Sequence, residues 1–182
     1  MEELLSECRA GESALAGARD ERNPDLSARR AIRTVRVVTI RIRRPEYADD
    51  DPRCLIEISQ TFANGKTRSR MRPLSEKLAA GELWRDGVAR AVREELGSTA
   101  RDGHPLTVHV IDSTYAHAVR ERESTSYPGL TSRFDLHRVD AVVRGLPPDD
   151  EFESVERTAR GDLRARWAFL PFVWPDEDIG PG

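Results

Sequence analysis

The run from Ile32 to Arg44, IRTVRVVTIRIRR, alternates apolar and basic side chains around Val35, Val37, Val38, Ile40 and Ile42. A period of two over this length demands an extended strand with a half-buried face. More such runs follow it. RCLIEISQTF is rich in β-branched and apolar residues and ends at Asn64-Gly65, a strong hairpin signal, with a returning strand from Lys66 that stops at Pro73. LTVHVIDSTY (106–115) and RFDLHRVDAVV (133–143) read as strands joined by a polar stretch, AHAVRERESTSYPGL, that turns at Pro128-Gly129. RWAFLPFVW (166–174) is a late aromatic strand. Strands on both sides of one short helix, with no regular strand–helix–strand alternation, predict an α+β domain built on a mixed sheet.

Length places a limit on what accompanies that sheet. A chain of 182 residues and 20.5 kDa is the size of one ordinary domain with room for an appended segment. Residues 1–31 lack strand periodicity and read as a helix-prone or flexible lead-in, interrupted at Asn23-Pro24, in which Leu4, Leu5, Leu15 and Ala18 are the only candidates for a docking stripe. The expected division is a dispensable segment 1–31, a folded domain 32–175 and an acidic tail 176–182. No window approaches the roughly 18 apolar residues of a membrane span. The acidic opening MEELLSEC is not a secretory signal, so a cytoplasmic location is expected. With a net charge of −3 and acids interleaved among the 29 basic residues, the composition points away from a dedicated nucleic-acid binder. Cys8 and Cys54 sit in no metal-binding spacing and are too few for a disulfide framework.

The one strong helix signal lies in GELWRDGVARAVREELGS. Val88, Ala91, Val92 and Leu96 form an apolar stripe, and Gly97 is the expected C-cap. Glu94 and Glu95 stand side by side near its end, with Glu82 and Arg90 spaced behind them. Adjacent carboxylates repel, so the group either rests on a solvated face or collects a cation.

Read with its upstream segment, LSEKLAAGELWRDGVARAVREELGS resembles a Nudix box, the G-x5-E-x7-R-E-U-x-E-E-x-G-U signature of hydrolases that act on a nucleoside diphosphate linked to another moiety. Glu82 matches the first Glu, Arg90 the Arg, Val92 the apolar position, Glu94 and Glu95 the paired acids, and Gly97 the closing Gly. Glu76 stands where the opening Gly belongs, and Ala91 replaces the Glu that follows the Arg. The resemblance implies a Nudix-like mixed sheet flanked by helices, a phosphoanhydride hydrolase, and Mg²⁺ or Mn²⁺ on hard carboxylate ligands. It assigns Glu94 and Glu95 to the metal and Arg90 to orienting the glutamates. The two departures can compensate, with Glu76 reaching toward the ligand position that Ala91 vacates at a cost in backbone strain. Glu76, Arg90, Glu94 and Glu95 are therefore the expected catalytic residues, with Glu76, Glu94 and Glu95 on the metal.

Two other outcomes stay open for the same fold: a regulatory or ligand-binding module that has lost turnover, and an enzyme recruited to non-hydrolytic chemistry. The expected partner is a phosphorylated or nucleotide-like small molecule. Outside the box, Arg120, Arg122, Ser124, Ser126 and Arg133 around Tyr127 are candidates for an anion site, with Arg120, Arg133 and Tyr127 as its ligand-binding core. His104, His109, His117 and His137 are scattered in sequence and read as structural or surface residues, and Trp84, Trp167 and Trp174 as core or rim aromatics.

Overall fold

The computed structural model describes residues 2–9, 11, 13–19, 29–46, 50–100, 104–159 and 161–174. The Asn23-Pro24 break and the tail 176–182 lie outside them. Helix α1 (Glu2–Arg9) and strand β1 (Ala14–Arg19) lead into β2 (Arg29–Arg43), the hairpin β3 (Arg53–Thr61) and β4 (Thr67–Lys77), then helix α2 (Trp84–Ala91). After it come β5 (Thr107–Glu123), β6 (Thr131–Arg144), β7 (Glu151–Thr158) and β8 (Gly161–Pro171).

The strands form a mixed sheet in the order β5-β6-β2-β4-β3-β8-β7. β2 and β6 run parallel from Ile32↔Thr131 to Arg43↔Val142, and the remaining ladders are antiparallel. β2 carries two partners on one edge: β1 beside its first half and β4 beside Val37–Ile40. The boundary expected at residue 32 therefore falls inside β2, whose first half is zipped to the lead-in.

Why β2 sits at the centre follows from its sequence. Val38, Ile40 and Ile42 point to one face and are fully buried, while Val35 and Val37 point to the other, where they meet Leu136 and Phe134. Both faces are covered, so the single half-buried face expected from the alternation is replaced by two apolar faces that change over at Val37-Val38.

α2 lies on the Val38–Ile40–Ile42 face. Its stripe, Val88, Ala91, Val92 and Leu96, is buried against Val38, Leu74 and Leu78, each large side chain contributing about 2 kcal/mol. Gly87 makes this approach possible, because a Cβ there would stand 2.1 Å from Leu78 Cδ2. α1 is tied to the opposite face: Leu4 is buried, and Glu7 accepts from Arg33 of β2 at 2.6 Å and from Lys77 of β4 at 3.1 Å.

Three elements differ from the sequence expectation. The strand after the hairpin does not stop at Pro73 but continues through Glu76 to Lys77, since Pro73 sits opposite Ile56 where the ladder tolerates it. β5 does not end near residue 115 but runs on through the polar stretch to Glu123, as an outer strand that keeps half-buried Ala116 and Ala118 against β6. Gly97 is not a left-handed cap: its φ is −58°, and the helix ends through a wide π turn, Val92–Leu96, and a short 3₁₀ turn, Gly97–Thr99.

Candidate active site: a carboxylate cluster under the π turn

Arg90 is fully engaged. Its Nε and Nη2 donate to the two carboxylate oxygens of Glu82 at 2.8 and 3.0 Å, a bidentate clamp. Nη1 donates to Glu76 Oε1 at 2.9 Å and to Glu94 Oε2 at 3.1 Å, which keeps those two oxygens no more than about 6 Å apart; Nη2 also reaches the Lys77 carbonyl at 2.7 Å. Glu82 in turn accepts the Ala79 N–H at 2.7 Å, closing the loop that precedes α2. The Arg90 hydrogen bonds hold the Glu82 carboxyl below its ordinary range, and Glu82 with Glu76 pushes the guanidinium further from losing its proton.

Glu76 reaches this arrangement from β4 rather than from a loop. Its backbone is extended, and Met71 is the only non-glycine residue with positive φ among the described residues, so no left-handed strain attends Glu76. Ala91 is fully buried in the core beside Val88 and Val92. Position 91 faces the sheet in this chain, and its missing carboxylate leaves no vacancy on the polar face. Ser98 also departs from the apolar closing position of the box; its hydroxyl accepts the Val155 N–H at 2.7 Å and pins the helix end to β7.

Two carboxylates that the sequence did not single out join the group. Glu57 of β3 is only 2% exposed; one oxygen takes Arg70 Nε at 3.1 Å, and the other, Oε1, is buried with no hydrogen-bond partner among the described residues. An irregularity follows Glu57: Arg70 and Met71, the latter at φ 48°, stand opposite the single residue Ile58, a bulge in the β3–β4 ladder. Glu156 of β7 is the second, half-buried beside the π turn.

The electrostatics unite them. Burial raises the Glu95 carboxyl well above its ordinary range, and Glu57, Glu76 and Glu156 raise it further against the pull of Arg70. Glu156 is raised by burial first and then by Glu76, Glu94 and Glu57. Glu57, Glu76, Glu94, Glu95 and Glu156 thus form one electrostatic neighbourhood, with Glu94 at its exposed edge, in which protonation of the buried members is favoured. The sequence could not show this, because Glu57 and Glu156 come from β3 and β7 and meet the helix only through the sheet order. The tightest metal-type grouping among the described residues lies elsewhere, at His117, Asp135 and His137.

The expected anion site is not assembled. Arg120 pairs across the hairpin with Phe134 and Arg133 with Glu121, so the two arginines project to opposite faces of the sheet. Tyr127 lies under the Arg33 guanidinium at 5.3 Å, and Ser124 is occupied by the Tyr127 N–H. The histidines also differ from expectation, since His117 and His137 stand directly across from each other on β5 and β6. Trp167 is core, as expected, and its indole N–H donates to Ser154.

No family model matches the chain, and no curated protein matches it. Among solved structures, one described as the crystal structure of an ADP compounds hydrolase overlays it with a TM-score of 0.34 at 14% identity, covering 86% of this chain and 69% of that one. A likeness so loose leaves the site resting on this chain's own residues.

Proposed function

We propose that the chain is a divergent Nudix-fold hydrolase that splits a phosphoanhydride, in a nucleoside diphosphate linked to another moiety, with Mg²⁺ or Mn²⁺ bound at the carboxylate cluster. The observation that carries the reading is Glu57 Oε1, a buried carboxylate oxygen without a hydrogen-bond partner among the described residues, on a side chain electrostatically coupled to Glu95 and Glu156. An orphan of this kind is costly unless something supplies positive charge. The donor set consists of oxygen atoms, which fits a hard dication.

Glu57, Glu94 and Glu95 would hold the cation, and Arg90 positions Glu94 and Glu76 beside them. When bound, the ion neutralises phosphate oxygens and lowers the pKa of a coordinated water. Glu156, whose affinity for a proton is raised by burial and by its acidic neighbours, takes the proton of the attacking water. Metal-dependent phosphate release from a panel of nucleoside diphosphate derivatives tests the reading. Turnover that requires Mg²⁺ or Mn²⁺ and vanishes in Glu57→Gln supports it; the same rate in excess chelator contradicts it.

A second reading has its own support. Glu76 and Glu94 are already engaged by Arg90, which suits a pocket kept for binding without turnover. Calorimetric binding of the same compounds with no product formed is the outcome that favours it.

A further inference from the structure

A second cluster lies at the β5–β6 side of the sheet. His117 on β5 faces His137 on β6, and Asp135 precedes His137 by two residues, so the pleat turns all three side chains to one face. His117 Nε2 is 2.5 Å from Asp135 Oδ1, His137 Nε2 is 3.6 Å from the same oxygen, and the three atoms lie within 4.8 Å of one another. His137 is 7% exposed, and its Nε2 is buried with no hydrogen-bond partner among the described residues. That nitrogen lies beside the Asp135 oxygen, and the His137 ring stacks on the His117 ring with centroids 4.9 Å apart.

The far sides of His137 and Asp135 are anchored. His137 Nδ1 meets the Tyr115 hydroxyl at 2.9 Å, and Tyr115 is stacked at 4.5 Å on Trp84, the first residue of α2. The second oxygen of Asp135 accepts Arg36 Nε at 3.2 Å, leaving Oδ1 for the histidines. Ligating imidazoles and carboxylates are held in this way in metal sites: the outer hydrogen bond sets the tautomer and the ring orientation.

We propose that His117, Asp135 and His137 bind a first-row transition-metal dication of the zinc class through Nε2, Oδ1 and Nε2. Two imidazole nitrogens and one carboxylate oxygen suit Zn²⁺, Co²⁺ or Ni²⁺ and are a poor set for Mg²⁺. In a tetrahedral zinc site with bonds of about 2.0–2.1 Å, ligand atoms stand about 3.3 Å apart. The observed separations bracket that value; the two rings are stacked at 25°, so both Nε2 lone pairs meet one ion only when a ring swings out of the stack, a rotation open to the exposed His117 side chain on the outer strand. Entry of the ion displaces the proton shared by His117 and Asp135. The exposed His117 side leaves a fourth position open to water. This site shares no ligand with the carboxylate cluster and does not depend on the hydrolase reading.

Zinc titration of the full chain in the presence of excess Mg²⁺, with Co²⁺ absorption as a spectroscopic reporter, tests the assignment. The expected result is one Zn²⁺ per chain and visible Co²⁺ bands. His117→Ala weakens Zn²⁺ binding by more than about a hundredfold, Tyr115→Phe by about tenfold through the lost outer hydrogen bond, and Glu57→Gln leaves it unchanged. If His117→Ala does not melt cooperatively, His117→Gln, which keeps a polar contact to Asp135, is read by the same Co²⁺ spectrum and is expected to lose it. Zinc binding unaltered in the His117 variants, zinc binding abolished by Glu57→Gln, or no binding below about 100 µM Zn²⁺ overturns the proposal.

Discussion

Arg90 donates to Glu76, Glu82 and Glu94 at once, and buried Glu57 keeps one oxygen without a hydrogen-bond partner among the described residues. Removing the guanidinium leaves three carboxylates without their countercharge. Arg90→Ala is therefore expected to cost about 2–3 kcal/mol in a denaturant melt, and Arg90→Lys most of that, since an ammonium cannot reproduce the bidentate clamp on Glu82. Glu95 behaves in the opposite sense. Its folded-state pKa lies above the unfolded value, so the fold binds more protons than the open chain. Its contribution to stability is fullest below the unfolded pKa and is lost as pH rises through the folded one. The metal-free protein is thus expected to gain stability at neutral pH from Glu95→Gln, and the gain should shrink as pH falls toward about 3, below the ordinary glutamate pKa, where the carboxyl is neutral in both folded and unfolded chains. A pH series of melts in chelator reads this; an equal effect of the substitution at both ends contradicts the burial of that charge. At this scale the sequence was half legible. Glu82, Arg90 and Glu94 announced their partnership through spacing, whereas Glu57 and Glu156 sit in strand runs where a lone acid looks like any solvent-facing residue.

α2 and the lead-in show what spacing conveys about elements and what it misses. The stripe Val88, Ala91, Val92 and Leu96 is the buried face as read, because helical periodicity is a local property. Gly87 is different: in an isolated helix Gly→Ala gains about 1 kcal/mol, but here the added Cβ meets Leu78 Cδ2, and Leu78 is itself buried. Overpacking wins, so Gly87→Ala should destabilise by about 1–2 kcal/mol, and Leu78→Ala in the same chain should make the Gly87 change neutral or favourable in a double-mutant cycle. The weak apolar pattern of the lead-in predicts a dispensable segment. β1 pairing with β2, burial of Leu4 and the Glu7 bridge to Arg33 and Lys77 predict the reverse. A chain starting at Ala31 is expected to lose at least about 2 kcal/mol relative to the full chain in denaturant unfolding. Equal stability would mean that these contacts are idle. β7 and the second half of β5 escaped detection because they are polar outer strands, whose partner on one edge, not their own periodicity, fixes them.

Across the whole molecule, the sheet order does what no sequence window can. It brings β3, β4 and β7 to one helix end, so carboxylates far apart in sequence converge under the π turn, and it sets two histidines opposite each other at the other side. The mixed sheet and its single well-marked helix were legible because several strand runs and one stripe leave few alternatives. The partners inside the site were not, since strand order is a property of the closed fold. The converged carboxylates are proposed to form a hard-cation site. Thermal melting of the chelated protein with and without Mg²⁺, an ion that imidazoles bind poorly, at about pH 5 and about pH 8 decides whether they do. Because the ion competes with protons on Glu95 and Glu156, the Mg²⁺-induced rise in melting temperature is predicted to be larger at the higher pH and to vanish in the Glu57→Gln, Glu95→Gln double variant. No rise at either pH, or an equal rise in the double variant, would contradict it.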